Sequence, residues 1–350
     1  MQIYNRVGGF DTCVTVERAM KRKCTFGLSM MVMQTFRNNQ ISGMVWLVLV
    51  WLTGSVLRIL SDSIPGDFGQ GVLAGASLPF PWAGVLWSAM LLVNGLLTNT
   101  IFIRLNQFDQ TSLLPGLLAI LVGLIFPGLD TALANLFLLM AFFFMLPPPG
   151  QSVADVQVFN AGMLFGLGAL TYFPLLTLLV IGPMILGITG RFKVRRALVW
   201  YSAFALPWLY AAFLIDFQGD LAVFTTNFIH RFGLPAGLNA WFTDLWISLA
   251  FITVSGFLGL WKYSKFSGRL KVAQRRTFTL FTLIFVAYLL SGGLVKTLHP
   301  MHFQLMAMPL GLFISFALFH EKRGRVAWIT LISWHFMAFL SIFQFFISQD

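Results

Sequence analysis

Asp62 and Asp67 lie in a stretch that holds three prolines (Pro65, Pro79, Pro81) and no lysine or arginine. A carboxylate that comes within about 3 Å of a hydroxyl can take its proton as a general base. Arg58 precedes this stretch and can pair with Asp62 one helical turn later. Much further along the chain, Lys296, His299 and His302 bring a cation and two imidazoles into one short segment. A phosphate in a partly dry site is held by contacts of this charge-assisted kind. His299 and His302 also have a spacing at which metal ligands occur, but the segment supplies no further donor, so no metal is expected. The chain contains no G-x-S-x-G, Walker-type or H-E-x-x-H motif, and nothing in it calls for a cofactor. The candidate chemistry is therefore an acid, Asp62 or Asp67, working against a phosphate-bearing substrate contacted by Arg58, Lys296, His299 and His302.

The elements that would position these residues are set by hydropathy. Hydrophobic residues make up 58% of the 350, charged residues 10%, and phenylalanine occurs 38 times. Mean hydropathy is +0.81. A soluble domain carries about 25% charged residues because water must wet its surface; a chain this poor in charge is covered by lipid. The apolar runs are continuous for about 17 to 22 residues, which fits membrane helices and not the alternating strands of a barrel. The expected fold is an all-α bundle of about eleven spans, with residues 1–40 as a polar, basic, disordered segment and 41–350 as one transmembrane domain. Met31 or Met33 would make an equally good start. Cys13 and Cys24, both near the N-terminus, are expected as free thiols.

The spans read 41–57, 82–103, 113–129, 131–146, a double crossing within 159–189, 197–215, 245–261, 277–295, 305–319 and 326–346. Pro127-Gly128 hinges the third and fourth spans, and Pro147-Pro148-Pro149-Gly150 stops the fourth, because proline offers no amide and blocks helix continuation. Pro174 marks the reversal inside 159–189. With the N-terminus inside, the inner loops hold Arg104, the cluster Arg191–Arg196, Lys262 to Arg276, and Lys322, Arg323 and Arg325. The outer loops hold Asp62, Asp67, Asp130, Asp216, Asp220 and Asp244, with Arg231 and Lys296 as the exceptions. This split follows the positive-inside rule and puts the C-terminus outside. It also explains the net charge of +11 without a nucleic-acid partner. Membrane lipids are the expected partners; no protein partner is identified. Leu221, Phe224, Phe228 and Phe232 recur at helical spacing and could lie in the membrane interface.

Carriers of ions place charged side chains within their spans. The spans as read contain none, which disfavours an ion-coupled transporter. Asn94, Asn99, Asn135 and His335 are read as hydrogen-bonding glue between helices.

The residues Leu97-Thr98-Asn99-Thr100 with Arg104-Leu105-Asn106, the run Ala134 to Leu139, Phe159-Asn160-Ala161-Gly162 through Tyr172-Phe173-Pro174, and the basic stretch before Leu206-Pro207 form a pattern. Over residues 34 to 345 the chain resembles an uncharacterised family of multi-pass inner-membrane proteins of the Bacteroidota. Members of that family commonly have aspartate where this chain has Asn160. The resemblance implies an inner-membrane place in a bacterial envelope and brings no activity with it. A second similarity concerns chemistry. Membrane glycosyltransferases of the GT-C type carry an acid in the first outer loop, the position of Asp62 and Asp67. The run from His299 to Leu310 is similar to their basic-then-proline passage near a late span. The two readings carried forward are sugar transfer from a lipid-linked donor at the periplasmic face and a non-catalytic scaffold of an envelope complex.

Overall fold

A computed structural model of the protein describes residues 40–61, 78–79, 81–105, 107, 112–148, 151–217, 242–292, 300–321 and 324–347. The N-terminal segment 1–39, Asp62, Asp67, Lys296, His299 and the 221–232 stripe lie outside the described residues. The described residues are mostly helical, joined by short turns and extended links, and contain no strand. The helices are α1 (Gln40–Leu60), α2 (Trp82–Arg104), α3 (Leu114–Ile125), α4 (Leu129–Met145), α5 (Asp155–Thr171), α6 (Ile181–Ile188), α7 (Val194–Phe217), α8 (Phe242–Phe266), α9 (Val272–Gly292), α10 (Ala307–Phe319) and α11 (Gly324–Ile347). A 3-10 segment, Phe173–Leu178, leads into α6, and another, Pro300–Met306, leads into α10.

Among the described residues, six helical stretches are long and apolar enough to cross a bilayer: 41–60, 82–104, 194–217, 247–269, 301–319 and 326–344. Their outer faces are apolar. On α1, Ile41, Val45, Leu49, Leu52, Val56 and Leu60 are exposed, and on α7 so are Leu198, Leu209, Phe213 and Phe217. Water would penalise apolar stripes of this extent, whereas lipid is their natural solvent. The chain is thus an all-helical, multi-pass membrane protein.

The core inverts the usual length relation. α3 has twelve residues, all of them buried, and so spans only about 18 Å, short of a hydrocarbon core about 30 Å thick. Around it pack α1, α2, α10 and α11. Long helices meet lipid, and short ones fill the middle. The window 301–319 is 83% buried, against 17% for 194–217 on the rim.

Side-chain pairings give the directions. Leu91 lies against Gly123 and Gly95 against Gly116, so α2 and α3 are antiparallel. Asn94 Nδ2 donates to Ala132 O and Arg104 to Phe143 O, so α2 and α4 are parallel. Breaks occur where the sequence places them, at Phe126-Pro127-Gly128 between α3 and α4 and after Met145. α5 and α7 run parallel at backbone contact: a Cβ on Gly162 would sit 2.7 Å from Trp200 O, and one on Gly166 2.5 Å from Phe204 O. Between them the chain turns at Tyr172-Phe173-Pro174 and comes back through 173–188, since Arg191 then reaches Gln151 O and Arg196 reaches Asp155, at the start of α5. One end of the bundle therefore gathers Arg104, Arg191, Arg195, Arg196, Lys262 and Arg276; the other gathers Arg58, Asp130 and His302.

Candidate functional site

Because α3 stops inside the bundle, its last carbonyls have no partner within the helix and none in lipid. Arg58, near the end of α1, is fully buried and supplies them. Its Nε donates to Leu124 O at 3.0 Å, its Nη2 to the same oxygen at 2.6 Å and to Ile125 O at 3.4 Å. Nη2 also donates to Ser341 Oγ of α11 at 2.7 Å, while Ser341 Oγ donates to Ile125 O at 2.9 Å. A cation at a helix C-terminus also meets the negative end of the helix dipole. Arg58 is thus a cap that ties α1, α3 and α11 together.

Three residues past that cap the chain re-enters a helix at Leu129, and Asp130 occupies the first turn of α4. The sequence placed Asp130 in an outer loop, yet its side chain is fully buried, so the expectation of spans without charges is corrected here. Packing and not loop length decides its exposure, because Pro127-Gly128 turns the chain inside the bundle. Asp130 Oδ1 accepts from Thr131 N–H at 2.7 Å, and Thr131 Oγ1 donates to Gln304 Oε1 at 2.7 Å.

Gln304 and His302 are carried into this break by the 3-10 segment. A Cβ on Gly128 would lie 2.7 Å from Met301 Cβ, and Phe303 packs on Phe126 with ring centroids 5.6 Å apart. His302 was expected in an outer loop; it is instead fully buried. Its Nε2 lies 2.9 Å from Tyr288 O and 3.1 Å from Ser291 Oγ, and its Nδ1 lies 2.9 Å from the Tyr172 hydroxyl. A carbonyl can only accept, so Nε2 carries the hydrogen and Nδ1 accepts from the phenol. The Ser291 hydroxyl donates to Tyr288 O, which leaves its oxygen free to accept from Nε2.

The arrangement is a layer of polar groups in a dry setting, drawn from α1, α3, α4, α9, α11 and the segments at 172 and 300–306. It holds a carboxylate, a phenol, an imidazole and a guanidinium. Chemically it can orient a proton on His302 and Tyr172 and fix the break beside Asp130. With both ring nitrogens engaged, His302 acts as a positioning group and not as a direct phosphate donor. Of the candidates read from sequence, Arg58 and His302 come to the same end of the bundle. Asp130, Tyr172 and Gln304 were missed; the signal that could have found Asp130 is a carboxylate directly after Pro-Gly with apolar runs on both sides. Asn94 and His335 do serve as links between helices: Asn94 as above, and His335 by accepting from Trp46 Nε1 at 3.3 Å. Among the described residues, no three His, Cys, Asp or Glu side chains come together as a metal set. No family model matches the chain, and neither a curated protein nor a solved structure matches it.

Proposed function

We propose that this chain is a multi-pass protein of a bacterial inner membrane, active in envelope biogenesis, with its basic end in the cytoplasm and its working site at the opposite, periplasmic end. The most concrete reaction is glycosyl transfer from a lipid-linked donor. In it Asp62 or Asp67 would serve as general base toward the acceptor hydroxyl, and Lys296 and His299 would meet the donor phosphate. Arg58 and His302 would then hold the floor of the site, with Asp130 as a third acid beside them. The observation that carries this reading is the convergence of Arg58 and His302 on the α3–α4 break, next to a fully buried carboxylate. Ionisable groups at membrane depth are costly and mark sites of function.

The finer topology we propose is eleven crossings, with the N-terminus inside and the C-terminus outside. Six crossings are the long apolar stretches. The other five would be α3, α4, α5, the run 173–188 and α9, whose directions alternate with those of their neighbours.

The test of the reaction is turnover of polyprenyl-phosphate-linked sugars by the purified protein in vesicles. Asp62→Asn or Asp67→Asn should abolish transfer while leaving the thermal unfolding midpoint unchanged. Turnover that survives in both variants would dismiss these acids as the base. The rival reading is a non-catalytic scaffold. It is favoured by one feature: the hydrogen-bonding groups of His302 are all taken up by the protein itself. Failure to bind or turn over any lipid-linked sugar, together with co-purification of other envelope proteins, would select it.

A further inference from the structure

At the basic end, a second place combines charge, shape and an apolar wall. A cleft of about 180 Å³ opens where the ends of α2, α4 and α6 meet the start of α9. Arg191 and Arg276 line it, with Leu105, Leu146, Pro147 and Leu280 as its apolar side. No carboxylate is among its lining residues.

The local fold explains how two guanidiniums arrive there. α6 ends in a Schellman motif: Gly190 has φ +71°, its N–H donates to Gly187 O at 3.0 Å, and the Arg191 N–H donates to Leu186 O at 2.7 Å. The motif sends Arg191 back across the helix end, where its Nη2 donates to Gln151 O. From α9, Arg276 lies over the same turn, its Nη1 3.8 Å from where a Gly190 Cβ would be. Among the described residues the charge is uncompensated. Asp155, at the start of α5, is engaged by Arg195 at 3.3 Å and Arg196 at 3.1 Å. Among the described residues, Arg191 and Arg276 have no carboxylate partner, and Arg276 donates to no protein acceptor. Burial, and then the neighbouring Arg196 charge, hold the Arg191 guanidinium below the usual arginine range.

We propose that this cleft binds the phosphate of an anionic phospholipid, with Arg191 and Arg276 on the phosphodiester and the Leu105–Leu146–Leu280 wall against the glycerol and upper acyl chain. Half of the lining is hydrocarbon, which a free phosphate ion would not use, and the cleft sits at the end of apolar helices where headgroups lie. Basic pockets between helix ends on the cytoplasmic side are suited to anionic headgroups. The inference rests on the basic end meeting a membrane surface and is independent of any reaction at the opposite end.

The experiment uses the full chain in nanodiscs of equal parts phosphatidylcholine and phosphatidylglycerol, released into mild detergent for native mass spectrometry. The wild type should retain phosphatidylglycerol in preference to phosphatidylcholine. Retention should fall about fivefold for each guanidinium removed, in Arg276→Gln and again in the Arg191→Gln/Arg276→Gln pair. Arg195→Gln/Arg269→Gln, which removes the same charge from exposed positions outside the cleft, should retain lipid as the wild type does. Arg276 is exposed and makes no bond among the described residues, so its single variant decides the matter if Arg191→Gln does not fold. Equal retention by wild type and Arg276→Gln overturns the site. Equal loss in the control pair reduces it to general surface charge and overturns it as well. A second arm adds inorganic phosphate to phosphatidylcholine-only discs. Thermal stabilisation there that needs Arg276, with no selective lipid retention, would assign the cleft to a soluble phosphate and overturn the lipid.

Discussion

Arg58 and Ser341 show how one polar side chain lets a short helix end inside a bundle. Replacing Arg58 by methionine keeps an unbranched chain of similar length but strips the Leu124 carbonyl of its Arg58 donors and Ser341 Oγ of its donor, and leaves Ile125 O to Ser341 alone. Each orphaned buried group costs about 1–3 kcal/mol, so Arg58→Met should lower stability by about 2–4 kcal/mol. Ser341→Ala, which removes one of two donors to Ile125 O, should cost about 1 kcal/mol. Because both contact the same oxygen, their double variant should depart from additivity; thermal unfolding in detergent measures all three. An Arg58→Met protein as stable as the wild type would show that the cap is not needed. His302 makes the matching case at the other side of the break. Tyr172→Phe removes the donor to Nδ1 and strands a buried acceptor, so it should cost about 1–2 kcal/mol and change the tautomer balance seen in the imidazole nitrogen chemical shifts. Unchanged shifts would reject the Tyr172–His302 bond. Neither role was legible in the sequence. Arg58 read as the end of a span, and His302 read as part of a loop, because three-dimensional depth is set by partners on other elements, such as Ser341 for Arg58 and Tyr172 for His302.

Among the elements, α5 and α7 depend on the absence of side chains. Gly162 and Gly166 lie one turn apart and face Trp200 O and Phe204 O, the small-residue contact by which membrane helices approach closely. A methyl group at Gly166 must move backbone and not a flexible side chain, so Gly166→Ala should cost about 1–3 kcal/mol. Gly187 is the contrast. Nothing lies within 4 Å of a Cβ there, so Gly187→Ala should be neutral or stabilising by up to about 1 kcal/mol. If the two alanine variants unfolded at the same temperature, close approach would not explain Gly166. The breaks were legible: Pro127-Gly128, the Pro147–Pro149 run and Pro174 each end a helix for reasons local to the backbone. The order of burial was not. Hydropathy reads both α3 and α7 as apolar segments, since lipid and protein interior are both apolar; the pattern of neighbours makes one a core and the other a rim. The cleft at Arg191 and Arg276 was hidden for a related reason, since counting loop charges registers both residues yet says nothing of their convergence.

For the whole molecule, the separation of charge is the feature with a direct test. One end holds Arg104, Arg191–Arg196, Lys262 and Arg276, and there Arg195 and Arg196 share Asp155 while Lys262 pairs with Glu321. Even after those pairs the end is strongly positive. Membrane insertion retains such segments in the cytoplasm, because moving them outward opposes both the potential and desolvation. The opposite end carries Arg58 and Asp130 buried within the bundle, where they add no free charge to the surface. Orientation is therefore governed by the first end. Reporter fusions after residues 194 and 270 should both be cytoplasmic, and a fusion after 350 should be periplasmic. The C-terminal fusion is the most sensitive of the three, because it depends on the run 155–188 crossing twice. α5 is 17 residues and α6 is 8, so this pair is a short return path, and the second half would reach across only with the 3-10 segment 173–178 extending α6. The return is held by Arg191 on Gln151 O and by Arg196 on Asp155, contacts that require residues 151–155 and 191–196 to share one end. A periplasmic reporter at 350 with cytoplasmic reporters at 194 and 270 satisfies all of these at once. A cytoplasmic reporter at 350 would mean that one of the short helices turns back within the bilayer, and the eleven-crossing topology would then give way to an even number.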